Sequence, residues 1–465
     1  MKTFFFYDLE TSGLNPLEDR IMQFAGQRTD ENLQPLGDPV NLLVKLNDDV
    51  LPSPDAIMVT KITPQMTLQE GLSEIELARF LSDEIFTPDT TAVGFNNVRF
   101  DDRFLQHLFW RNFFDPYEWQ WKDGRSKWDV LDLVRMTRAL RPDGIKWPVD
   151  KDGKATNRLE LITKLNAITH EKAHDASSDV DATIAVARLI KQKQPKLFDF
   201  LLKMRDKNEV KKLVNLENPQ EFVYTSGKYD EKFQKTTVAF PLTTGKNGNI
   251  VVYDLRHDPT DFLKKSLSEL KDIFFTKYED RQTDDYCPLP VKELQFNRCP
   301  AVAPVSVLAH NWTTIGLEKE QVAKNKQLLL ANPDFGERIR EVFESTPKYE
   351  PAKSPEAALY DSFLNDRDRQ TCAAVRNANA KTLTDFSPEF LDERLPELLI
   401  HFKARNFPKS LTADETQKWQ TYRIANIARQ SAKYAARLQT LMKTATEEQR
   451  FLLEELSLWL EDVSE

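Results

Sequence analysis

The sequence predicts an α/β protein in which a mixed-sheet region comes first, followed by a small β-rich region and an all-helical C-terminal part. Three observations predict it. Strand and helix patterns alternate over residues 1–195, short strands separated by turn residues recur over 196–350, and beyond the proline-punctuated stretch STPKYEPAKSP the residues 351–465 carry only helical periodicity. A chain of 465 residues exceeds what one hydrophobic core usually serves. Three domains, 1–195, 196–350 and 351–465, are therefore expected.

Taken in order, TFFFYDLE, DRIMQFAGQRT and PVNLLVKL read as three strands broken by the turn-forming TSGLNP and QPLGDP. SEIELARFLSDEIF is helical, TTAVGFNN is a short apolar strand, and FDDRFLQHLFWRNFF, KWDVLDLVRMTRAL and DVDATIAVARLIKQ carry helical spacing. In the second region EFVYTSG, KTTVAFPLT, GNIVVYDL and AVAPVSVLA read as strands that could close a small barrel, with helices at 260–275 and 319–331. The last region supplies helices at AALYDSFL, PELLIHFKARNF, ADETQKWQTYRIANIARQ and TEEQRFLLEELSLWLEDV.

Composition narrows the function classes. Hydrophobic residues make up 40% and charged residues 29%, an ordinary balance for a water-soluble fold, and no apolar run approaches the length of a membrane span. The initial run FFFY is too short for the apolar region of a signal peptide, so cytoplasmic residence is expected. Cys287, Cys299 and Cys372 form no CxxC pair, which argues against a zinc cluster or a disulfide framework. Net charge is −9, with the acid excess in the N-terminal region. Such a balance speaks against an overall basic coat, although carboxylate-held metal ions can supply positive charge that a side-chain count misses.

The first strand raises the chemical question. FFFY has no polar alternation and so implies burial on both faces, yet Asp8 and Glu10 follow it at i and i+2, on one side of the strand. Two carboxylates near a core stay ionised together only beside a cation, and a hard divalent ion such as Mg²⁺ suits oxygen ligands. Further acids stand in suitable places. Asp101 begins a helix after a strand in GFNNVRFDDRF, and His174 precedes Asp179 by five residues in AHDASSDVDATIAVARL. Taken singly, a helix-leading Asp is usually a cap and a loop His is usually solvated; together with Asp8 and Glu10 they point to one metal site.

The order of these motifs, D-x-E on the first strand, then Asn97, Phe100 and Asp101, then His174 and Asp179, resembles the DEDDh class of 3′→5′ exonucleases, which have an RNase H-like fold. The stretches GFNNVRFDD, RNFFDPYEWQW, LRPDGIKWP, AHDASSDVDATIA and ARNFP are similar to the bacterial exonuclease I family, single-strand-specific DNases, over nearly the whole chain. That resemblance implies an RNase H-like domain, an SH3-like barrel domain with helical insertions and a helical C-terminal domain. It implies Asp8, Glu10 and Asp179 as direct ligands, Asp101 holding a second metal, and His174 as general base. Two Mg²⁺ ions, replaceable by Mn²⁺, would clamp the scissile phosphate about 4 Å apart. The product would be 5′-mononucleotides, the action processive, and the setting DNA repair and recombination.

Single strands are held by base stacking on aromatic rings and by cations along the phosphates. FWRNFFDPYEWQWKDGRSKW interleaves both. Trp110, Phe113 and Phe114 have core spacing, whereas Tyr117 and Trp121, beyond the DP turn, are the expected stacking residues. Arg135, Arg141 and Arg158 are candidate phosphate contacts, and Glu10 is counted with the substrate contacts as well. The resemblance also implies docking of the acidic C-terminal tail of single-stranded DNA-binding protein, for which Arg141 beside Trp147 and Pro148 is a candidate. A monomer is expected, since no heptad pattern or exposed apolar strand stands out. Two other readings are an RNA-trimming exonuclease of the same class, which the acids alone do not exclude, and a non-catalytic single-strand-binding module, which would have no use for carboxylates crowded beside a polyanion.

Overall fold

The computed structural model describes residues 2–170, 175–282, 286–309, 311–347 and 350–464. By packing, the chain divides into two units, one of residues 1–127, 170–184 and 350–465, the other of 128–169 and 185–349. The C-terminal helices thus belong to the same unit as the first sheet, a grouping that chain order does not reveal.

In the first unit, β1 (Thr3–Thr11), β2 (Ile21–Thr29), β3 (Val40–Leu43), β4 (Thr90–Gly94) and the start of β5 (Ser126–Asp129) form a mixed sheet in the order β3-β2-β1-β4-β5. β1 runs antiparallel to β2, from Phe4↔Thr29 to Glu10↔Gln23, and parallel to β4, from Thr3↔Thr90 to Phe6↔Val93. Its central place explains the unbroken aromatic run. Phe4, Phe5, Phe6 and Tyr7 are all buried, because successive side chains enter the layers above and below the sheet. Phe5, Tyr7 and Leu9 share one core with Phe24, Phe86, Phe104 and Trp119. Phe4, Phe6, Asp8 and Glu10 point to the opposite face. Between Glu10 and Thr11 the register slips by a bulge, a device that bends a strand and re-aims the side chain beside it.

Local signals set the helices. Ser73 and Glu76 form a reciprocal capping box ahead of the helix Glu74–Phe80, and Thr412 with Glu415 does the same for the 30-residue helix Ala413–Met442. That helix and Glu447–Ser464 bury Ile427, Tyr434, Leu438, Leu453 and Trp459 against Met22, Leu46 and Ile57. Trp110 and Phe113 pack with Leu398, Leu399 and Phe402, the core role their spacing suggested. AALYDSFL departs from expectation: only a short turn forms at Ala357–Tyr360, and the next helix, Asp366–Asn377, starts at an Asn365 cap that the apolar pattern does not mark. KWDVLDLVRMTRAL also divides. Its first residues complete β5, and the Asp129 side chain accepts from the Leu131 amide to start the helix Val130–Leu140.

The second unit holds a five-stranded antiparallel sheet, order β10-β6-β7-β8-β9, made of β6 (Phe222–Thr225), β7 (Thr236–Thr244), β8 (Ile250–Asp254), β9 (Val291–Leu294) and β10 (Ala301–Pro304). Four of these follow the expected segments. β9, VKEL, is too short and too charged to stand out, and pairing with β8 alone makes it a strand. Phe222, Tyr224, Val252 and Val302 form its core with Met204 and Val210.

Candidate active site

Asp8 and Glu10 leave the end of β1 on the same face. Asp179 joins them from the first turn of the helix Ala176–Lys193. One carboxylate oxygen from each lies within 4.8 Å of the other two. Asp101, first residue of the helix Asp101–Arg111, is 4% exposed and close enough that its charge acts on both Asp8 and Glu10. Four of the five residues selected from the motifs are therefore brought together. His174 lies outside the described residues.

The electrostatics are those of an acid cluster awaiting a cation. Burial pushes Asp8 well above the usual carboxylate range, and the charges of Asp101, Asp179 and Glu10 push it further. Glu10 is raised to about 8, by burial first and then by Asp179, Asp101 and Asp175. Like charges at this spacing cannot all remain ionised unaided. An all-oxygen donor set fits hard divalent ions such as Mg²⁺, and not a soft-ligand metal.

The two members of the doublet Asp101–Asp102 have different surroundings. Asp102 is consumed by the fold: the Tyr7 hydroxyl donates to it at 2.6 Å, Asn97 Nδ2 at 3.1 Å and Lys127 Nζ at 2.8 Å. Asp101, one residue back on the helix, lies beside the acid cluster and its charge acts on Asp8 and Glu10. His170 was missed by the motif reading, although THEKAHD contains it. Its Nε2 lies 2.8 Å from Asp179 Oδ1, with the side chain 4% exposed.

The expected strand contacts fare unevenly. Trp121 is 64% exposed. Tyr117 is not the free ring expected of a loop; it is half-buried against the core containing Phe402, and its ring meets Phe363 edge to face at 6.0 Å. Burial raises its phenol well above the usual range. Phe363, 82% exposed, is the accessible member of that pair and sits in AALYDSFL, where the helical reading concealed it. Trp119, in the same loop, is buried and stacks on Phe86 at 4.9 Å.

The three arginines belong to the second unit. Arg135 pairs with Asp132 at 2.7 Å and lies against Gly227, where a Cβ would come within 3.0 Å of the guanidinium. Arg141 donates to the carbonyls of Leu140 and Val307 at 2.6 and 2.8 Å, so much of its fork is already used. The cation over the Trp147 ring is Arg138, at 5.8 Å. Arg158 is 66% exposed and pairs with Glu160 at 2.5 Å.

The mixed sheet and the carboxylate cluster at the end of its central strand define the class: an RNase H-like exonuclease domain equipped for divalent metal. Comparison with known proteins agrees. Family profiles match as "Exonuclease" over residues 5–187, "Exonuclease I SH3-like domain" over 205–345 and "Exonuclease I C-terminal domain" over 353–463. The chain is 39% identical to exodeoxyribonuclease I of Haemophilus influenzae over 445 residues, 95% of this chain and 94% of that protein. Among solved structures it matches Escherichia coli exonuclease I in complex with a dA16 oligonucleotide, TM-score 0.96 at 34% identity, and the zinc-bound form of the E. coli enzyme with single-stranded DNA, TM-score 0.95 at 34% identity, each over 100% of both chains. The chain belongs to the exonuclease I family. Its second unit accordingly contains an SH3-like domain and its first a helical C-terminal domain. Among the described residues no helix is long and apolar enough to cross a membrane.

Proposed function

We propose that this protein is a 3′→5′ exonuclease that hydrolyses single-stranded DNA to 5′-mononucleotides, processively, in DNA repair and recombination. The convergence of Asp8, Glu10 and Asp179 within 4.8 Å carries the reading. Asp8, Glu10 and Asp179 hold divalent metal, with Asp101 serving a second ion; Mg²⁺ is the expected species and Mn²⁺ a substitute. Metal held there would supply activation of the attacking water and neutralisation of charge on the phosphate and the leaving 3′-oxygen. His174 takes the proton of the attacking water as its oxygen bonds to phosphorus and the 3′-oxygen departs. His170 holds the Asp179 carboxylate in orientation from behind.

The strand is held by stacking on Trp121 and on the Tyr117–Phe363 pair, with Glu10 also touching the terminal nucleotide and Arg135, Arg141 and Arg158 serving phosphates. Arg141 is also the proposed contact for the acidic tail of single-stranded DNA-binding protein: the Arg141→Ala variant should weaken tail-peptide binding, and unchanged affinity would dispose of that contact. We further propose a cytoplasmic monomer with domains at 1–195, 196–350 and 351–465. The DNA complexes of the E. coli relative support DNA as substrate. Incubation with 3′- and 5′-end-labelled DNA and RNA oligomers, with and without Mg²⁺, tests the reading. Metal-dependent release of mononucleotides from the 3′ end of DNA is the expected result; trimming of RNA alone, or binding without cleavage, would overturn it.

A further inference from the structure

We propose that the C-terminal segment positions the metal-binding end of β1, with Glu356 acting through Arg20 on the turn that follows Glu10. The inference rests on the reading of Glu10 as a metal ligand. The turn is closed at its base by a reciprocal pair: the Ser12 amide donates to the Arg20 carbonyl at 2.8 Å, and the Arg20 amide to Ser12 Oγ at 2.9 Å. Inside it, Asp19 accepts from the Asn15 amide at 2.8 Å and from Ser12 Oγ at 3.2 Å, and a Cβ on Gly13 would fall 2.4 Å from the Asp19 carboxylate. The turn is thus tightly wound, and Arg20 is its last residue before β2.

The Arg20 side chain leaves the turn and meets Glu356 at 2.7 Å, both being 3% exposed or less. On the way its Nη1 donates to the carbonyls of Glu18 and Asp19 at 2.8 and 3.2 Å. Glu356 is itself held by Arg405 at 2.6 Å and by His401 Nδ1 at 2.7 Å. Arg405 also pairs with Asp49 at 2.6 Å, and Arg111 pairs with Glu74 at 2.5 Å, 4.0 Å from Arg20. These three arginines and three carboxylates, all buried, balance in charge. Glu356, His401 and Arg405 come from the C-terminal segment. The other members come from the sheet region.

A buried ion cluster is weak evidence for stability, since desolvation offsets most of the attraction, but its fixed geometry suits orientation. Arg20 joins the two ends of the argument: its backbone closes the turn that starts at the β1 bulge beside Glu10, and its guanidinium is set by the C-terminal segment. Arg20 and Glu356 are positioning residues, neither one touching the substrate. A turn released from Glu356 would let Glu10 depart from the other carboxylates, so metal would bind less tightly and turnover would fall while the strand-binding surface stayed as it was.

The test compares the wild-type protein with Arg20→Met, Arg20→Lys and Glu356→Gln. Each is measured for thermal melting, for Mn²⁺ binding by electron paramagnetic resonance without DNA, and for kcat and KM on a single-stranded DNA oligomer. Arg20→Met is expected to weaken Mn²⁺ binding roughly tenfold and lower kcat by a similar factor, with KM unchanged and with Arg20→Lys recovering part of both. Lowered melting temperature with wild-type Mn²⁺ affinity and kcat would overturn the proposal. Should Arg20→Met fail to fold, Glu356→Gln decides, and wild-type Mn²⁺ affinity there overturns it equally. A wild-type protein that binds Mn²⁺ but degrades no DNA would instead overturn the functional reading and leave the comparison of affinities standing.

Discussion

His170 Nε2 stands 2.8 Å from Asp179 Oδ1, so a proposed metal ligand is engaged by a buried imidazole. Partners behind a ligand commonly set its orientation and basicity. Replacing His170 by Leu should raise the Mg²⁺ concentration for half-maximal exonuclease rate by roughly tenfold, and His170→Asn, which keeps a donor, should recover part of the loss. A Mg²⁺ titration of the initial rate measures both.

Glu10 sits at about 8, far above an unfolded glutamate near 4.5, because of burial and the neighbouring Asp179 and Asp101. Between those two values the native state without metal binds more protons than the unfolded state, so its stability must fall as pH rises from about 4.5 through 8. In EDTA the melting temperature should drop across that window, each kcal/mol lost being worth roughly 2–4 °C. Saturating Mg²⁺ should abolish most of the slope, and differential scanning fluorimetry at several pH values with and without Mg²⁺ reads it directly.

His174 should be required for the chemical step and not for holding DNA. His174→Ala is expected to lower single-turnover cleavage by roughly 10²–10⁴-fold with oligonucleotide affinity retained. Undiminished cleavage would remove it from the role of general base.

Trp119 and Trp121 are two positions apart and should answer differently to the same change. Trp121→Ala removes an exposed ring and should weaken single-strand binding by roughly 1–3 kcal/mol with melting unchanged. Trp119→Ala empties a place stacked on Phe86 and should cost about 3–5 kcal/mol of stability. Fluorescence anisotropy with a labelled oligomer and a urea melt separate the two.

Tyr7 beneath the site is a structural donor. Tyr7→Phe leaves the buried Asp102 with Asn97 and Lys127 as partners and should cost about 1–3 kcal/mol of stability, the range for a buried polar group that loses a hydrogen-bond partner. Exonuclease rate per folded molecule should be retained, which a urea melt paired with an initial-rate assay checks.

The chemistry was legible wherever it rests on local periodicity. Asp8 and Glu10 share a face because a strand alternates every two residues, and burial of Phe4 to Tyr7 followed from the lack of polar residues among them. The helix starts that present Asp101 and Asp179 were equally readable, each from a turn followed by an apolar face. Residues whose role depends on a partner far along the chain gave no such signal. Tyr117 and Trp121 read alike as loop aromatics, and only packing against residues near 363 and 402 separates the half-buried ring from the exposed one. Arg141 read as a free cation until the carbonyls of Leu140 and Val307 claimed it.

By itself, then, the sequence determined most of the strands and helices, the aromatic support and which acids stand at its end, since backbone geometry dictates these over a few residues. Tertiary structure alone decided that Asp179 meets Asp8 and Glu10, that Asp102 is spent on Tyr7 and Lys127, and that Glu356 reaches back to Arg20. Those relations join positions from a few tens to more than 300 residues apart, so no local pattern marks them, and it is the packed core that excludes the water which would otherwise screen these charges.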